Sequence, residues 1–95
     1  MSQYVVEWSP RFKRDYKKAV RRGLDVERLQ AAVGYLAMGE KLPDFYKDHA
    51  LKYDKAGKRA CHIGPDWVLV YVRDDSILHV LLLRTGYHRE LKLGG

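Results

Sequence analysis

The sequence predicts an α+β domain: an N-terminal strand, then a two-helix antiparallel hairpin packed on one face of a mainly antiparallel sheet, which four C-terminal strands complete. Three observations predict it. Aromatic and β-branched residues cluster in short runs at 3–8, 67–72 and 77–84, apolar residues recur at helical spacing only within 10–38, and Gly or Gly-Pro punctuation separates the segments. Strand, helix, helix, then strands is an order that puts both helices on one sheet face and leaves the other open.

Each element has its own signal. Residues 3–8, Gln-Tyr-Val-Val-Glu-Trp, read as the first strand. Ser9-Pro10 then offers an N-cap followed by a proline at the first helical position, where its missing N–H is no loss. Phe12, Tyr16, Ala19 and Val20 form the apolar stripe of this helix, with Arg11, Lys13, Arg14, Lys17, Lys18, Arg21 and Arg22 around the rest and Gly23 ending it. Asp25 caps a second helix running toward Met38, with Val26, Leu29, Val33 and Leu36 on its apolar side and Gly39 after it. Gly34 weakens that helix locally and suggests a close approach by another element. Residues 40–48 read as a loop, 49–53 and 59–63 as short strands, 67–72 as a buried strand, 73–76 as a turn and 77–84 as a second buried strand. Residues 89–93 form a tail that begins a helical turn.

Ninety-five residues make one domain, 1–95, near the size at which a single core suffices. The longest apolar run, 77–83, is broken by His79 and too short to cross a bilayer, and residues 1–8 carry no signal-like pattern. No membrane association is expected, and the cytoplasm is the expected compartment. One cysteine excludes an internal disulfide and a cysteine-based zinc framework. Eighteen Lys and Arg against twelve Asp and Glu give a charge of +6, which suits a polyanionic partner such as nucleic acid, or an acidic protein.

The chemistry concentrates in two stretches. Residues 61–67, Cys-His-Ile-Gly-Pro-Asp-Trp, bring a histidine and an aspartate to a Gly-Pro turn between two strands. If Cys61 and Ile63 face the core, alternation points His62 the other way, and Asp66 sits at the mouth of the turn. Residues 84–88, Arg-Thr-Gly-Tyr-His, return a guanidinium and an imidazole where the last strand stops. Cys61 reads as a small buried hydrophobe, Trp67 as core and His79 as structural. Zinc is not expected: Cys61 and His62 point to opposite faces, and no His-x-x-x-His or Cys-x-x-Cys pair preforms a site. No cofactor is expected either.

The basic first helix, the His49-Ala50-Leu51 step, Cys-His-Ile-x-Pro-Asp-Trp at 61–67 and Arg-Thr-Gly-x-His at 84–88 together resemble the YafQ branch of the RelE/ParE toxin superfamily. The resemblance covers almost the whole chain. It implies a ribosome-dependent endoribonuclease that cuts mRNA in the A site and is neutralised by an antitoxin encoded nearby, in a complex that binds operator DNA through the antitoxin. It places the functional positions on His49, His62, Asp66, Arg84 and His88. That branch often carries an aromatic four residues after the last histidine; this chain has Lys92 there, and Tyr87 lies near enough to stack on a base instead.

Metal-free RNA cleavage needs a base for the 2′-OH proton, a cation for the charged phosphorane and an acid for the leaving 5′-oxygen. Arg84 suits the phosphate, because a guanidinium is always charged and holds two oxygens at once. His88 suits the acid, since histidine titrates near neutrality. The base is Asp66, His49 or His62. Two other classes use comparable surfaces: a same-fold toxin that poisons DNA gyrase, and a non-catalytic basic binding module. Neither needs this set of histidines.

Overall fold

The computed structural model describes residues 3–52, 54 and 56–91. Its elements run β1 (Val5–Trp8), α1 (Pro10–Arg21), α2 (Val26–Ala37), a 3₁₀ turn at Asp44–Tyr46, β2 (His49–Ala50), β3 (Arg59–His62), β4 (Trp67–Asp74), β5 (His79–Tyr87) and α3 (His88–Leu91). The strands form one sheet in the order β1-β5-β4-β3-β2. β1 lies parallel to β5, and the other pairs are antiparallel, as the α+β reading expects.

Local chemistry accounts for the helices. The Ser9 hydroxyl accepts the Phe12 N–H at 3.0 Å and itself donates to the Leu83 carbonyl at 2.9 Å, so one side chain both starts α1 and ties it to β5. Gly23 ends the hairpin's first arm with a φ of 75°, a conformation that side-chain-bearing residues adopt with strain. The Asp25 carboxylate accepts the Glu27 N–H at the start of α2. Phe12 and Ala19 of α1 and Leu29, Ala32 and Leu36 of α2 are buried against Cys61, Trp67, Leu69, Tyr71, Val80 and Leu82 of the sheet. Each fully buried large aliphatic side chain contributes roughly 1.5–3 kcal/mol.

Several expectations need correction. Val20 is 53% exposed, because it lies past the edge of the arc set by Phe12 and Ala19. Gly34 has nothing within 4 Å of where a Cβ would sit, so no element approaches it closely. Leu42 and Tyr46 are buried, so the 40–48 segment closes one end of the core around its 3₁₀ turn. β2 is only His49–Ala50; Tyr53 lies outside the described residues. The β4–β5 ladder runs from Asp74 opposite His79 to Trp67 opposite Tyr87. The turn therefore falls at 75–78 rather than 73–76, and β5 continues three residues past Arg84 before α3 begins.

One irregularity decides where the functional groups point. Val70 pairs with Arg84 but the next residue, Tyr71, pairs with Leu82, leaving Leu83 as an extra residue on β5. A bulge of this kind inverts the alternation beyond it. Val80 and Leu82 face the helices, and without the bulge Arg84 would follow them into the core; with it, Thr85 is buried and Arg84 turns to the opposite face.

Candidate functional site

The sheet register brings the singled-out residues together. Paired residues share a face, so His49, Ala60, Val70 and Arg84 form one row across β2, β3, β4 and β5, and His62, Val68 and Gly86 form the next. Cys61 and Ile63 are buried on the helix side, so His62 faces away from it, as alternation requires. His88 continues the β5 alternation and reaches the same patch. The centroids of the His49 and His62 rings are 6.2 Å apart, and those of His62 and His88 are 6.4 Å apart with planes 19° from parallel.

Each imidazole is oriented differently. His49 Nδ1 lies 2.8 Å from the Lys47 carbonyl. A carbonyl only accepts, so Nδ1 carries the proton, and in neutral His49 the lone pair is on Nε2. Lys47 adopts a left-handed φ of 50° at the end of the 3₁₀ turn. Burial, and then the positive neighbours His49, His88 and Lys47, push the His62 imidazole below its ordinary value, so it favours the neutral form. The His88 N–H donates to the Asp66 carbonyl at 2.8 Å, and this bond ties the Gly-Pro turn to the start of α3. Asp66, itself exposed, thus contributes a backbone contact to the site.

Arg84 Nε donates to Asp15 Oδ2 at 2.7 Å and Nη2 to Oδ1 at 3.4 Å, while the same Oδ2 accepts the Thr85 N–H at 3.1 Å. β1 ends at Trp8, opposite Leu82, so β5 has an unpaired edge beyond that point, and Asp15 of α1 covers it. Nη1 of Arg84 is not engaged by Asp15. Beside Arg84 lies a cleft of about 420 Å³, with Leu51, Val70, Leu83 and Leu91 supplying apolar walls and Arg11 and Lys58 supplying charge.

Three residues weighed in the sequence, Tyr87, His79 and Trp67, lie away from this patch. Tyr87 pairs with Trp67 on the helix side, and the Arg22 guanidinium sits 4.8 Å from its ring centroid. It therefore does not stack beside the histidines, a correction that follows from the same alternation that turns His88 to their face. Lys92 lies outside the described residues. His79 stands on the face that carries Arg84 but at the opposite end of β5, with its Nε2 3.1 Å from Glu7 Oε1. Simple alternation along β5 places His79 on the face away from Arg84, and the Leu83 bulge is what brings the two onto one face. Trp67 is core: its indole N–H donates to Thr85 Oγ1 at 2.8 Å.

The positioning groups were not singled out from sequence. Asp48 accepts the Tyr71 hydroxyl at 2.6 Å and Arg59 Nη2 at 3.1 Å, fixing the residue before His49 to β3 and β4. Asp15 was also missed, although it is the one acidic residue in α1. Among the described residues no three His, Cys, Asp or Glu side chains converge to hold a metal ion. No described helix is long and apolar enough to cross a membrane.

A family model described as the bacterial toxin of type II toxin-antitoxin system, YafQ, matches residues 4–93. The mRNA interferase toxin YafQ of Escherichia coli strain B is 37% identical over 92 residues, covering 96% of this chain and 98% of that protein. A metal-bound toxin from Helicobacter pylori superimposes with a TM-score of 0.87 at 39% identity, covering 93% of this chain and 98% of that one. The toxin of the E. coli DinJ-YafQ toxin-antitoxin complex gives 0.86 at 34% identity, over 94% and 97%.

Proposed function

This chain belongs to the YafQ family of bacterial type II toxins, and on that premise we propose that it is a ribosome-dependent endoribonuclease cutting mRNA in the A site. The observation that carries the reading is the row of three imidazoles, 6.2 and 6.4 Å apart, on the face that also presents Arg84. A plain binding surface has no use for it.

The chemistry follows from the positions. His62, flanked by the other two rings and held toward its neutral form, takes the proton from the ribose 2′-OH. The 2′-oxygen attacks phosphorus, and Arg84, kept in place by Asp15, stabilises the phosphorane charge through Nη1, the nitrogen that Asp15 does not engage. His88 protonates the departing 5′-oxygen. The products are a 2′,3′-cyclic phosphate and a 5′-hydroxyl, so atoms and protons balance without a metal. His49, with its lone pair on Nε2, accepts a hydrogen bond from substrate, and the cleft beside Arg84 receives the adjoining nucleotide. Ribosomes place the activity in the cytoplasm. An antitoxin encoded nearby, acidic enough to cover a +6 surface, is the expected partner, and the resulting complex binds operator DNA through that antitoxin.

The test is cleavage of one message, free and bound in programmed ribosomes, with EDTA added to a reaction whose ribosomes are supplied with calibrated magnesium. Cutting of bound message alone, with a cyclic phosphate end and no response to zinc or copper chelation, is expected. Cutting that requires a transition metal, or a linear phosphate end, would overturn the proposed chemistry.

A further inference from the structure

We propose that Glu90 is a positioning residue for proton donation from His88, acting through a salt-bridge clamp onto α1. The proposal rests on the reading of His88 as the general acid.

α3 is four residues long, far below the length at which a helix holds itself together. Its geometry must come from outside contacts, and three are present. The His88 N–H is bound to the Asp66 carbonyl. Leu91 Cδ2 lies 3.5 Å from where a Cβ on Gly86 would be, so α3 folds back closely over bare backbone. The third contact is the most directional. Glu90 Oε1 accepts Arg22 Nη1 at 2.8 Å, Oε2 accepts Arg22 Nη2 at 2.9 Å, and Lys18 Nζ approaches Oε2 at 3.4 Å.

A fork-to-fork arginine–carboxylate pair fixes orientation as well as distance. Arg22 also lies over the Tyr87 ring, so a single guanidinium grips residues on both sides of His88. Exposed ion pairs add little to stability, but an acid displaced by about 1 Å can lose on the order of 10²-fold in rate. The hydrogen bonds from Arg22 hold the Glu90 carboxyl down to about 2, below the ordinary carboxylate range.

The experiment compares wild type, Glu90→Ala, Glu90→Gln, the exchanged pair Arg22→Glu with Glu90→Arg, and each Glu90 change in a His88→Ala background. Single-turnover cleavage of ribosome-bound message, affinity for the programmed ribosome, and amide hydrogen exchange at residue 88 are measured on all of them. Glu90→Ala should lower the rate roughly 10- to 100-fold, leave ribosome affinity unchanged and speed exchange at His88. The exchanged pair should recover most of the rate. In the His88→Ala background Glu90→Ala should cost nothing further, because a positioning residue has no acid left to position. A wild-type rate for Glu90→Ala, or the same fold loss in both backgrounds, would overturn the proposal. Equal rates for wild type and His88→Ala would instead remove the acid assignment, and the proposal with it.

Discussion

The imidazoles of His62 and His88 stand 6.4 Å apart and 19° from parallel, one on β3 and the other at the first residue of α3. Their adjacency depends on the His88 N–H reaching the Asp66 carbonyl, which closes the turn leading out of β3 against the end of β5. Proximity of this kind makes His62 sensitive to pH in a defined direction.

Because the folded state lowers the His62 pKa, the unfolded chain binds a proton there at a pH where the folded chain does not. Stability from this group is complete above the ordinary value of 6.5 and falls as pH drops below it. The Tm of wild type should therefore decline between about pH 7 and pH 5 more steeply than that of His62→Gln. Parallel Tm profiles for the two proteins would contradict this.

Asp15→Ala removes two services at once: the carboxylate partner of Arg84 and the acceptor for the Thr85 N–H. An unsatisfied amide and an unpaired guanidinium at this edge should destabilise by about 1–3 kcal/mol. At roughly 4–8 °C of Tm per kcal/mol for a domain of this size, calorimetry resolves the change. Cleavage should fall as well, since Arg84 loses its fixed orientation. Asp15→Asn, which still accepts the Thr85 N–H, should recover part of the stability.

Cys61 is a free cysteine buried against the helices. Burial pushes its thiol up to about 12, far above solvent pH. Native protein at about pH 8 should resist alkylation, while denatured protein should be modified readily. Rapid modification of the native form, followed by mass spectrometry, would show that β3 is not seated against the helices.

Much of this was legible in the sequence. Ser9-Pro10, Gly23 and Asp25 mark the helix boundaries through local hydrogen bonding and backbone preference, which depend on neighbours in the chain and so can be read from it. His62 faces away from the core by simple alternation. The rest depends on pairing between distant residues. The extra residue Leu83 re-aims Arg84, and no local pattern announces it; Tyr87 follows Trp67 to the helix side for the same reason. Asp48, Asp15 and Glu90 acquire their roles from partners on other elements, so in the sequence they read as ordinary surface carboxylates.

The measurement closest to the central claim is single-turnover cleavage of ribosome-bound message by His88→Ala, with its Tm beside that of wild type. His88 donates the leaving-group proton in this account, so the variant should fold and lose about 10²- to 10⁴-fold in rate. Arg84→Ala should lose a comparable factor. His79→Ala, at the far end of β5 and bound to Glu7, should cut like wild type. A folded His88→Ala protein that cleaves at the wild-type rate would contradict the account.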